Sequence, residues 1–224
     1  MARHSKYHPR RWPFFAIIIL LVAIVSLVVA FVDKAQNDLR PLSDTPAVST
    51  PQKIEEPVSI DPSRVTQLFV PALDPHLVIN NEVFGLDSCR PQIEPPLDGV
   101  GIGRVYECMD FALPSTSSPS LSVLAGHSSC RVDTVFNRLN EQGASLVDRE
   151  VWIKTEKSGD KWLVYKVTAT YQPTKDELPY MDTIWGSSEV STAGRLVLVT
   201  CLLNADCSKS THNFIVVAQF TGIR

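Results

Sequence analysis

The chain has 224 residues, 44% of them hydrophobic and 20% charged, with a formal net charge of −3. Such a length holds one domain of ordinary size plus appendages. Arg3, Lys6, Arg10 and Arg11 put four positive charges in the first thirteen residues, so the remainder carries about −7, which argues against a nucleic-acid partner. Sixteen prolines against ten glycines favour extended linkers and stiff loops over a helical bundle. Neither an internal repeat nor a glycine-rich nucleotide loop is present.

In chain order, residues 1–13 read as a basic cytoplasmic tail with Trp12 at a membrane interface. Residues 14–32, Phe14 to Val32, contain no charge, and about 20 apolar residues suffice to span a hydrocarbon core. A single transmembrane helix is the expectation, with the N-terminus inside and the rest of the chain exported. The alternative is a cleavable signal peptide, with Val28 and Ala30 before the cut, although the apolar core of such peptides is usually only ~7–15 residues long. Residues 33–63 follow as a tether. Pro41, Pro46, Pro51, Pro57 and Pro62 recur among polar residues that bury too little apolar surface to fold.

Residues 64–224 read as the folded domain. Short apolar runs at Leu68–Val70, Leu77–Ile79, Leu121–Leu124, Val151–Lys154, Trp162–Val167, Leu196–Val199 and Phe214–Ala218 are expected strands. Ser158-Gly159-Asp160-Lys161 is a hairpin signal, Pro114 to Ser120 reads as a solvated loop, and Asp133 to Gly143 has room for a short helix. The pattern is all-β, a closed or nearly closed barrel with one or two short helices.

Five cysteines stand beyond the apolar segment: Cys89, Cys108, Cys130, Cys201 and Cys207. Outside the cell an odd number leaves one thiol over, and that thiol is a candidate nucleophile. Four of them allow three pairings, among which Cys89–Cys108 with Cys130–Cys207 is favoured; the alternative is that all five are reduced. His127 and Cys201 each follow an apolar run, and a thiol becomes a good nucleophile once a histidine or a cation favours the thiolate. A zinc site built from His127, Cys130, Cys201, Cys207 and His212 competes for the same residues, but the spacing is irregular.

Four segments of this domain resemble the sortases, cysteine transpeptidases of Gram-positive cell envelopes. Val70-Pro71-Ala72-Leu73 is similar to their Ile-Pro-x-Ile/Leu strand, and Leu124-Ala125-Gly126-His127 to their Thr/Leu-Ala-Gly-His segment. Lys175-Asp176-Glu177-Leu178-Pro179 resembles a segment of the class E and F branches, and Leu198-Val199-Thr200-Cys201 the Leu-x-Thr-Cys nucleophile motif. The resemblance implies a closed sortase-like β-barrel with no cofactor. It implies Cys201 as nucleophile, His127 as acid and base, and Thr200 as a substrate-binding residue. The partners it implies are a Leu-Pro-x-Thr-Gly-like sorting-signal peptide and an amine acceptor, either a peptidoglycan precursor or a pilin-like subunit. Asn213 stands where the family carries an arginine, so an amide replaces a charge at a place expected to hold the substrate carbonyl. Lys209, Arg131, Arg195 and His212 are the candidates to replace that charge. The second expectation is therefore a sortase-like binding or assembly module, catalytically weak or inactive, on the cell surface.

Overall fold

Nine strands form within the residues that the structure, a computed structural model, describes: 58–73, 78–80, 83–90, 92–97 and 101–224. They are β1 (Val65–Phe69), β2 (Val78–Asn80), β3 (Phe84–Leu86), β4 (Val105–Cys108), β5 (Ser122–Gly126), β6 (Glu150–Thr155), β7 (Leu163–Tyr171), β8 (Arg195–Cys201) and β9 (Asn213–Ile223). Two short α-helices join them, α1 (Asn137–Gln142) and α2 (Asp182–Trp185). The expected transmembrane segment lies outside the described residues. Among the described residues, no helix is long and apolar enough to cross a membrane.

The strands make one sheet in the order β2-β1-β6-β7-β9-β8-β5-β4-β3. Among the described strands, only β5/β8 and β3/β4 are parallel. Strand β6 alternates between buried and half-buried residues, as a strand with one face on the core should. Strands β5, β8 and the first half of β9 are buried on both faces, which explains their uninterrupted apolar sequence. Their alternate residues feed two cores. Leu124, Leu196, Leu198, Phe214 and Val216 pack inside with Leu68, Ile153 and Leu163. Val123, Ala125, Val197, Val199, Ile215 and Val217 pack outside, under Leu178 and Ile184.

The sheet is barrel-like but its ladder is not closed: among the described residues, β2 and β3 remain edges. Residues before β1, and the first residue of β1 itself, draw the open side together instead. Ile60 exchanges hydrogen bonds with Thr116, Ser63 N–H donates to the Pro114 carbonyl, and Val65 N–H donates to the Glu107 carboxylate on β4. Ile60 and Ser63, read from sequence as tether, are thus 3% and 4% exposed. The Pro114–Ser120 segment is correspondingly not a solvated loop, because Ser115 and Ser118 are buried. The β6–β7 turn falls at Ser158–Lys161 as expected, with Gly159 at φ +57°. Helix α1 occupies the second half of the expected helical stretch.

Candidate active site

The parallel pairing of β5 with β8 places Ala125 opposite Val199. Both strands run out at the same end of the sheet, and His127 and Cys201 each stand two residues beyond that pair. Strand β9 runs the other way and begins there, with Asn213 opposite Cys201. Neighbouring strands lie about 4.8 Å apart. Three residues distant in sequence therefore collect at the ends of three adjacent strands.

Local sequence explains how His127 is delivered. A Cβ on Gly126 would lie 2.8 Å from the ring of buried Phe136, so only glycine lets the strand end run over that ring. The Thr134 hydroxyl then lies 2.6 Å from the His127 carbonyl. The His127 imidazole is half-buried, and its Nε2 is 3.0 Å from the Pro95 carbonyl and 3.2 Å from that of Pro96. Carbonyls only accept, so Nε2 carries the proton and donates it to this strap. The strap is covalently moored, because Cys89 and Cys108 form a disulfide in the outer core.

Cys201 is the only free cysteine among the described residues; the second disulfide joins Cys130 to Cys207. The favoured pairing is therefore the one observed, and the all-reduced alternative is not. The same disulfide removes two sulfurs from the zinc set considered above, and no described group of His, Cys, Asp and Glu residues is placed to hold a metal. Cys201 is partly exposed and lies on the face of β8 that carries Val197 and Val199. It opens, with Asn213, onto a cleft of about 280 Å³. Phe111 and Trp185, stacked at 5.7 Å, contribute apolar surface to that cleft, along with Ile93 and Leu178. Polar groups come from Arg90, Glu94 and Lys175.

Thr200, expected to bind substrate, points the other way. It is 2% exposed, and its hydroxyl is 2.7 Å from Ser128 Oγ. Ser128 has one proton, directed to the Phe136 carbonyl, so Thr200 is the donor of that pair. Asn213 Nδ2 donates to the Thr200 carbonyl at 3.2 Å. The charged candidates do not gather at the thiol either. Arg195 donates to the carbonyls of Thr183, Ile184 and Ser191 at the opposite end of β8, and burial lowers its pKa. Arg131, Lys209 and His212 do not line the cleft.

One residue that the sequence did not single out ties the site together. Asn140 of α1 donates to Ser128 Oγ at 2.6 Å and to the Cys201 carbonyl at 3.0 Å, while its Oδ1 accepts from Leu203 N–H at 2.8 Å. A single amide thus grips both the segment after His127 and the segment after Cys201. A polar residue on a short helix carries no sequence signal of this role.

Comparison with known proteins places the chain. Residues 70–221 match the model of the sortase domain. The chain belongs to the sortase family, whose members are cysteine transpeptidases associated with cell envelopes. Among solved structures, the SrtA sortase from Actinomyces oris is 15% identical, with a TM-score of 0.52 over 76% of this chain and 89% of that one. Sortase C-1 from the same organism is 19% identical, with a TM-score of 0.48 over 72% and 74%. Sortase A from Corynebacterium diphtheriae is 17% identical, with a TM-score of 0.47 over 72% of this chain, which spans only 62% of that protein. No curated protein matches the chain in sequence.

Proposed function

We propose that this chain is a membrane-anchored cysteine transpeptidase acting on a Leu-Pro-x-Thr-Gly-like sorting signal. The observation that carries the reading is the free thiol of Cys201, opening onto a cleft with His127 at the adjoining strand end. The Cys201 thiolate attacks the carbonyl carbon after the threonine, and the carbon–nitrogen bond breaks. The departing amine takes a proton from His127, leaving a thioester. An amine of a cell-wall precursor or of another surface protein then attacks the thioester and gives its proton to His127. An amide forms and the thiolate is regenerated. The apolar wall of Ile93, Phe111, Leu178 and Trp185 suits the leucine and proline of such a peptide. Residues 14–32 would hold the enzyme in the membrane, with the proline-rich stretch after them as its spacer.

A second reading is favoured by one observation. His127 gives its Nε2 proton to the Pro95 and Pro96 carbonyls, an arrangement suited to a sortase-like binding or assembly module without turnover. Incubating the full chain in detergent with a quenched Leu-Pro-x-Thr-Gly peptide library and an added amine separates the two. Amine-dependent cleavage that disappears in Cys201→Ala is expected. If wild type is silent but Asn213→Arg cleaves, the site lacks only its cation. Silence from both leaves the binding module.

A further inference from the structure

Attack of a thiolate on a carbonyl puts a full negative charge on the carbonyl oxygen, and fixed positive charge in a partly enclosed cleft stabilises it far more than in water. Asn213 brings no charge, and one of its two amide N–H bonds is already given to the Thr200 carbonyl. Among the described residues two cations line the cleft that Cys201 and Asn213 share, Arg90 and Lys175. The Arg90 guanidinium lies over the Phe111 ring at 4.9 Å, beside the Cys89–Cys108 disulfide, and so belongs to the cleft wall.

Lys175 is placed differently. Asn213 N–H donates to the Pro173 carbonyl at 2.9 Å, Thr174 bridges His212, and Lys175 N–H donates to the Thr211 carbonyl at 2.9 Å. This short antiparallel pairing ties the Lys175 backbone to the segment that carries Asn213. Among the described residues the Lys175 ammonium makes no ion pair. The neighbouring Glu177 carboxylate is taken by the Thr174 N–H and hydroxyl, and Asp176 faces a separate groove with Tyr180. Glu94 is the one carboxylate lining the same cleft among the described residues, and it too is free of an ion pair there.

We infer that Lys175 supplies the positive charge at Cys201, and that it stabilises the oxyanion formed there, a role that rests on the acyl-transfer reading. Lys175 would donate an ammonium N–H to the oxyanion from the side on which Asn213 offers only an amide.

The test uses the full chain and needs no substrate at first. Cys201 is alkylated with iodoacetate, an anion, and with iodoacetamide, which is neutral, and the two rates are compared by mass spectrometry. A cation beside the thiol accelerates the anionic reagent selectively, so Lys175→Gln should lower the iodoacetate-to-iodoacetamide ratio by about threefold. Lys175→Arg should retain it. A fold defect that merely exposes the thiol would change both rates together. An unchanged ratio in Lys175→Gln, or a fall caused by Arg90→Gln instead, overturns the inference. With a cleavable peptide, Lys175→Gln should lower kcat by about tenfold or more at little change in KM. Asn213→Arg on that background should restore turnover. A lowered alkylation ratio in a chain that cleaves no peptide supports the charge placement and counts against acyl transfer alone.

Discussion

At the residue scale, Asn140 links the two segments that follow His127 and Cys201. Its amide makes three hydrogen bonds, and each typical bond contributes about 1 kcal/mol net. Asn140→Ala removes the partner of Leu203 N–H and of the Cys201 carbonyl, while Ser128 keeps its bonds to Thr200 and Phe136, and should cost about 1–3 kcal/mol of stability. The more telling readout is kinetic. If the amide sets the positions of the segments after His127 and Cys201, kcat should fall by about tenfold or more while KM changes little. Asn140→Asp keeps an acceptor for Leu203 but loses both donated bonds, so it should show the same kinetic signature. A variant with unaltered kcat would reduce Asn140 to a stabilising contact. Thr200 belongs to the same network: its hydroxyl braces Ser128 beneath the cleft.

At the element scale, the strap at residues 92–97 lines the cleft with Gln92, Ile93 and Glu94 and meets His127 through Pro95 and Pro96. Two of its carbonyls hold His127, and the disulfide between Cys89 and Cys108 moors it at its start to the end of β4. The bridge closes a loop with a sequence separation of 19, for which the chain-entropy account predicts about 3 kcal/mol of stabilisation. The double variant Cys89→Ser/Cys108→Ser should lose about that much in urea unfolding. Its histidine should also exchange its ring proton faster by NMR, because the strap is no longer held down. An unchanged His127 signal would mean that packing alone keeps the strap in place.

At the scale of the whole molecule, the open side of the barrel contains a buried carboxyl. Glu107 is 1% exposed, and burial pushes its pKa up to about 7 despite the Val65 N–H and the Arg64 guanidinium, which pull it down. The folded state therefore holds this proton more tightly than the unfolded chain does. The resulting stability is fully present below the unfolded value of 4.5 and is lost as pH rises toward 7. At about 1.4 kcal/mol per pH unit, wild type should lose on the order of 3 kcal/mol between pH 4.5 and 7. Asp148, Glu177 and Asp206 shift the opposite way, held down by hydrogen bonds from Lys166, Thr174 and Ser208. Whatever these exposed groups contribute is present above their ordinary carboxylate range and is lost only in more acidic solution. Urea midpoints measured from pH 5 to 8 should fall in wild type and stay nearly flat in Glu107→Gln. Parallel slopes would place the pH dependence elsewhere.

The strands legible in the sequence are those whose burial is written into local pattern. Strands β6, β7, β8 and β9 are apolar runs long enough to stand out, and the runs of β5 and β8 lead visibly into His127 and Cys201. Strands β3 and β4 escaped, because one is three residues around Gly85 and the other carries Glu107 where a core strand should be apolar. The odd cysteine count leaves one thiol over only if the other four pair, and it was the fold that joined Cys89 to Cys108 and Cys130 to Cys207 and left Cys201 free. Sequence order could not say that β5 and β8 lie parallel and in register, which is what brings a histidine and a cysteine 74 residues apart to one end of the sheet. Nor could it orient Thr200 inward, because the facing of a side chain follows from which core its strand neighbours enter. The grip of Asn140, the hold of the strap on His127 and the placement of Lys175 beside Asn213 were likewise decided by tertiary contacts. Each joins segments far apart in the chain, and no local propensity encodes their meeting.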